Sequence, residues 1–195
     1  MQHYTLPTSI EINGTPFKIT DNGDFRMVFS CFTILNSLEL SETERVLGAL
    51  LTFYEDFPDF ESIVMWEDKE EAVKKMYEFF NCGDDIQSNT SNLKLIDWDK
   101  DATLICSAVN TVANKEIRAE EYLHWWTFVS YYMGIGECAL SNIINIRYKR
   151  AKGKKLEKYE RQFINENPQY FKIDTRSNEE KEMDAYFRSL WDGEG

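Results

Sequence analysis

Three stretches of this 195-residue chain carry residue types that could do chemistry. Gly134-Ile-Gly136-Glu-Cys-Ala139 matches the glycine pattern that admits a dinucleotide pyrophosphate, and Glu157 and Glu160 follow about twenty positions on. That chemistry needs a buried parallel strand before the glycines and another after the helix. Residues 125–133 could pass for the first strand, but Lys152–Arg161 is too charged for the second. The glycines are therefore expected to stop one helix and start the next. Asp97-Trp-Asp99-Lys-Asp101 opens as a calcium loop does, yet Ala102 stands where the turn glycine belongs and Ala108 where the bidentate glutamate belongs. Capping of a helix, with a favourable charge–dipole effect, is the expected role of these acids.

His124 sits beside Trp125 and Trp126 with no serine or cysteine in a nucleophile motif, so a structural role is expected. A small enzyme with a scattered site around it is the alternative. Gly153-Lys154 lacks the first glycine of a phosphate loop, Tyr148 taking that place. The cysteines Cys31, Cys82, Cys106 and Cys138 form no Cys-x-x-Cys pair, and each lies in or beside an apolar helical pattern. They read as buried or semi-buried free thiols. With His3 and His124 as the only histidines, zinc would need an unusual ligand set. No catalytic, cofactor or metal residue is assigned.

The elements that would position these residues are mostly helical. Ser9–Ile12 and Thr15–Ile19 flank Asn13-Gly14, the dipeptide best suited to a type I′ hairpin turn, with Pro16 marking an edge strand. The spacing of Phe25, Val28, Phe29, Phe32 and Leu35 predicts a helix over 24–38, with Asp21 and Asn22 as cap candidates. Ser41 and Glu44 form a capping-box pattern before Leu47, Leu50, Leu51 and Tyr54. Residues 59–67 fit no element. Asp68 is expected to cap a helix carrying Ala72, Val73, Met76 and Phe80 that ends at Asn81-Cys82-Gly83, and 84–92 reads as a loop.

A fourth helix is expected from near Asp97 through Val112, and a fifth over 119–133, apolar all round and so central in a bundle or beneath a partner. Tyr122, Trp125 and Trp126 are expected in the core. Helices over 138–151 and 154–166 follow, and a last one over 178–191 opens with a Ser177/Glu180 capping box. The fold class is mostly α: a bundle of seven or eight helices behind a small N-terminal β-hairpin. Residues 1–166 would form the main domain, and 167–195 a linker with a C-terminal amphipathic helix.

Composition sets the class of partner. Thirty-four acids against 22 basic residues give a formal net charge of −12, which opposes general nucleic-acid binding. No apolar run approaches a membrane span, and residues 1–12 lack a signal peptide's regions, so the chain is expected to stay where it is made. Charge is uneven: 147–161 holds eight basic residues and two acids, while 55–71 holds eight acids and one lysine. The bland reading is a pair of solvated faces. The functional one is a self-complementary or partner-facing pair, in which Arg147, Lys149, Arg150, Lys154 and Lys155 would take part. The stripe Met183, Tyr186, Phe187, Leu190 and Trp191 is the other candidate contact, in the helix-in-groove manner.

Several segments, in this order, resemble the "gene product fifteen" family of tailed phages and prophages of Gram-positive bacteria. They are Asp24-Phe25-Arg26, Phe79-Phe80-Asn81-Cys82-Gly83, Asp97-Trp98-Asp99-Lys100-Asp101, Leu123-His124-Trp125-Trp126-Thr127-Phe128, and Ile143-Ile144-Asn145-Ile146-Arg147. The resemblance covers roughly residues 5–165. It implies a non-enzymatic protein encoded beside the tape-measure gene and acting as a tail assembly chaperone. Its expected partners are the tape-measure protein, other tail proteins and further copies of itself, without nucleic acid, membrane or cofactor. Its expected place is the host cytoplasm, outside the mature virion; a connector or tail-tube-associated subunit retained in the virion is the alternative.

Overall fold

The computed structural model describes residues 5–37, 39–84 and 95–172. They fall into two compact units: residues 5–84 with 109–135, and residues 95–108 with 136–172. Eight α-helices and one two-stranded sheet are present among the described residues, so the fold is mostly α behind an N-terminal hairpin.

In the first unit, β1 (Ser9–Ile12) pairs antiparallel with β2 (Thr15–Lys18), Ile12 opposite Thr15. Asn13 and Gly14 take φ of 49° and 83°, the two positive angles a type I′ turn requires. A tight turn at Thr20–Gly23 leads into α1 (Phe25–Leu35). Then come α2 (Glu42–Phe53), α3 (Phe60–Met65) and α4 (Lys69–Phe80). The expected Ser41/Glu44 capping box is formed, with Ser41 N–H donating to Glu44 Oε2 at 2.8 Å. Residues 59–67, unassigned from sequence, contain α3, whose N-terminus Asp59 caps by accepting from Ser62 N.

The core of this unit is aromatic. Phe25 stacks on Phe128 at 5.0 Å, and Phe128 on Trp125 at 5.4 Å. Phe29 and Phe32 meet Trp125 edge-on, and Phe53 meets Phe79 and Phe80. Such edge and offset contacts add about 0.5–1.5 kcal/mol each to the burial of the rings. α5 (Ala102–Ala113) begins in the second unit and ends in this one, and α6 (Trp125–Met133) completes it.

At two helix starts in this unit the structure differs from expectation. The cap of α1 is Asp24, because Asp21 and Asn22 take left-handed angles (φ 50° and 52°) within the preceding turn. The helix expected over 119–133 starts only at Trp125. Leu123 is drawn into an extended bridge instead: its N–H donates to Asp24 Oδ2 at 2.8 Å and its C=O accepts from Phe25 N at 3.0 Å. With those groups taken, residue 123 has none left for a helical ladder.

In the second unit, α7 (Ala139–Ala151) and α8 (Lys158–Glu166) are followed by a 3₁₀ turn at Pro168–Phe171. Ile143, Ile146 and Phe171 form the buried centre, with Leu104, Leu156, Phe163 and Ile164 packed against it. The helix expected from Asp97 begins at Ala102; residues 98–101 are a turn in which Lys100 N–H donates to Asp97 Oδ1. The last expected helix, 178–191, lies outside the described residues.

Candidate functional site

The segments singled out in the sequence meet in two places, one in each unit. In the first, Asp24 is the hub. Its Oδ1 accepts from Arg26 N at 2.9 Å, capping α1, while its Oδ2 holds Leu123. Arg26 lies over the other side: Nη1 reaches both Asp24 oxygens, and Nη2 donates to the carbonyls of Ile117, Arg118 and Glu120, the last at 2.6 Å. One guanidinium thus gathers the turn before α6 onto the start of α1. Glu116 stiffens that turn, accepting from Arg118 and Asn110, and hydrogen bonding to Arg118 holds its carboxyl down at about 2.

His124 bridges antiparallel to Asp24. Its Nδ1 accepts from Trp126 N at 3.0 Å, capping α6, so the ring proton is on Nε2, which donates to Pro7 O at 3.0 Å. Burial pushes its pKa below the ordinary value, against smaller opposing effects of the Pro7 bond and Asp24. Both nitrogens of a neutral ring are therefore spent on backbone, which leaves no lone pair for a general base. Gly23 makes room: a Cβ there would lie 2.8 Å from Phe79 Cζ and 3.0 Å from His124 Nε2, at φ +79°.

The adjacent tryptophans end α4. Trp125 Nε1 donates to Phe80 O at 2.9 Å and Trp126 Nε1 to Phe79 O at 3.0 Å, satisfying carbonyls that a helix terminus leaves open. Cys82 (φ 58°) and Gly83 (φ 89°) then turn the chain away. Trp125 is buried, Trp126 half-buried and Tyr122 exposed, so Tyr122 is not in the core, though its hydroxyl donates to Asn22 O. Cys31 and Cys106 are buried, and Cys82 and Cys138 half-buried, all as free thiols. Burial pushes the Cys31 thiol up to about 12.

The second meeting place joins Asp101 to Arg147. The guanidinium grips the carboxylate with two bonds of 2.6 and 2.8 Å and also donates to Leu95 O and Tyr170 O. The Arg147 side chain is 2% exposed. This corrects its placement on a solvated, partner-facing edge: Arg147 is an internal tie, selected from sequence for its charge when its partner lay 46 positions away. Lys149 pairs with Glu160 at 2.6 Å, which holds the Glu160 carboxyl below its usual range. Arg150 donates to Phe171 O, and Lys154 lies over the Tyr148 ring. Lys152, Lys155, Lys158 and Arg161 are exposed. Met183, Tyr186, Phe187, Leu190 and Trp191 lie outside the described residues.

Two open clefts accompany these ties. One, of about 540 Å³, runs between β1 and the end of α4 over Phe79 and Trp126; its Lys75 and Glu78 neutralise each other at 2.8 Å. The other, of about 300 Å³, separates α7 from α8. Among the described residues, no group of three or more His, Cys, Asp or Glu is gathered closely enough to hold a metal ion. None of the described helices is long and apolar enough to cross a membrane.

The family described as Bacteriophage Gp15 protein matches residues 3–173. The chain belongs to that family. No curated protein and no solved structure matches it. The two ties of this Gp15-family chain were hidden from sequence reasoning because each joins residues far apart. The signal that could have found them was the set of quoted segments itself, since Asp24-x-Arg26, Leu123–Phe128, Phe79–Gly83, Asp101 and Arg147 are the residues that close them.

Proposed function

We propose that this Gp15-family chain is a non-enzymatic tail assembly chaperone that binds the tape-measure protein in the host cytoplasm and keeps it soluble during tail morphogenesis. The observation that carries the reading is family membership over residues 3–173, joined to the place beside the tape-measure gene that the resemblance implies. The site geometry supports it: His124, Asp24, Arg26, Asp101 and Arg147 are spent on helix ends and backbone carbonyls, which suits a holder better than a catalyst. A net charge of −12 keeps such a holder dispersed while it carries an apolar, helical client. The stripe Met183, Tyr186, Phe187, Leu190 and Trp191 is proposed as a client or self-association contact.

Co-expression with the neighbouring long helical chain, followed by sizing with light scattering, tests the reading. A client insoluble alone should be recovered in a soluble complex with several copies of this chain. A client that stays insoluble while this chain elutes alone would overturn it. Mass spectrometry of purified virions should find the chain absent; its presence in stoichiometric amount would favour a retained connector or tube-associated subunit.

A further inference from the structure

Among the described helices, α3 is the one that leaves its own apolar side uncovered. Of its six residues only Ile63 is buried, while Phe60, Val64 and Met65 are 44%, 40% and 74% exposed. Phe60 and Val64 stand one turn apart and share a stripe that a surface helix ordinarily turns inward. The acids around it divide into two kinds. Asp56, Asp59 and Asp68 are committed locally, accepting from Lys18 N, Ser62 N and Asn13 Nδ2. Glu55, Glu61, Glu67 and Glu70 are exposed and make no ion pair among the described residues.

The matching surface lies on the other unit. From the end of α7 into α8, Lys152, Lys155, Lys158 and Arg161 are exposed and make no ion pair among the described residues, and Tyr159 among them is 68% exposed. The division of charge sharpens the match. Residues 1–88 and 109–135 hold twenty acids and eight basic residues, the whole net charge of −12, while the remaining residues hold fourteen of each.

We propose that α3 of one copy docks on the α7–α8 edge of a second copy, with Phe60, Val64 and Met65 against Tyr159 and the free glutamates facing the lysines. Charge steers the encounter and fixes the register, and the apolar centre holds it. The two patches differ, so the contact is heterologous: each joined pair still offers one free patch of each kind, one on either copy. Such contacts propagate into rings or open filaments rather than stopping at a two-fold dimer. The inference rests on these surfaces and stands independently of the chaperone reading.

Light scattering on the full-length chain over a concentration series tests it. The wild type should rise above one chain in mass. Its association should weaken on the order of tenfold as ionic strength goes from about 0.1 to about 1 M, where the Debye length falls from ~10 to ~3 Å. The variants E61K/E67K/E70K and K152E/K155E/K158E should each be monomeric, because both patches then carry one sign. Mixed one to one, they should co-assemble, because every reversed patch then has a complement. F60S/M65S should remain monomeric in low salt. A wild type of single-chain mass throughout, assembly by either reversal variant alone, or an inert mixture overturns the proposal. Should a reversal variant lose its helical circular dichroism, E61Q/E67Q/E70Q takes its place, and unchanged assembly there is equally decisive against it.

Discussion

Replacing Asp101 with alanine strands the Arg147 guanidinium in the second unit. The pair has side chains 1% and 2% exposed, so the charge left behind is shielded from bulk water. Two charge-assisted bonds of 2.6 and 2.8 Å disappear while the positive charge stays buried. Breaking a buried pair from one side costs about 3–5 kcal/mol, a large share of a domain's total of roughly 5–15 kcal/mol. Arg147→Met should cost at least as much, because it strands the Asp101 carboxylate and also frees the Leu95 and Tyr170 carbonyls. Each carbonyl left dry would add about 1–3 kcal/mol. The double variant D101A/R147M removes both charges and should lose distinctly less than the two single losses summed. Urea denaturation followed by circular dichroism gives the magnitudes. Hydrogen exchange should place the loss in peptides spanning 95–108 and 139–172. A loss below about 1 kcal/mol for D101A, or strict additivity in the double variant, would refute the reasoning that this tie is dry and coupled.

Gly23→Ala should destabilise by about 2 kcal/mol or more, since it combines a positive φ with a Cβ pressed on Phe79 and His124; a melting temperature equal to wild type would contradict that. His124→Ala should lose the α6 cap, about 0.5–2 kcal/mol in denaturation, plus the cavity it leaves, whereas His124→Asn keeps an acceptor for Trp126 N and should lose less. The same histidine sets an acid-side slope. Its folded pKa is depressed below 6.5, so the unfolded chain binds the proton first, and stability is full above 6.5 and falls as pH drops below it. Melting curves between pH 7 and 5 should show that decline in the wild type and a shallower one in H124N; parallel declines would remove His124 as the cause.

Local rules carried the sequence reading far along this chain. Asn13-Gly14, the Ser41/Glu44 box, the α4 stop at Asn81-Cys82-Gly83 and the break at Gly134 each depend on neighbours within a few positions, and each is where the residue types place it. What was illegible depended on distant partners. Asp24 rather than Asp21 or Asn22 caps α1, and the same carboxylate holds Leu123, 99 positions away. Residues 119–124 leave the helix because Asp24, Phe25 and Arg26 bond the backbone of Leu123 and Glu120. Apolar periodicity persisted there, but the backbone groups had already been claimed by α1. Arg147 could not be separated from its basic neighbours by type or spacing; only Asp101 and the burial of both distinguishes it. The short α3 carried too few buried positions for periodicity to register at all.

The Asp24–Leu123 bond spans 99 positions, and it sets a clock on the first unit. At synthesis rates of about 5–20 residues per second, the start of α1 waits roughly 5–20 s for the residues that complete it. During that interval Phe25 lacks Phe128, Phe29 and Phe32 lack Trp125, and the end of α4 lacks the two indoles that close it. A nascent chain stalled short of residue 128 therefore leaves these rings without the partners that cover them in the folded unit.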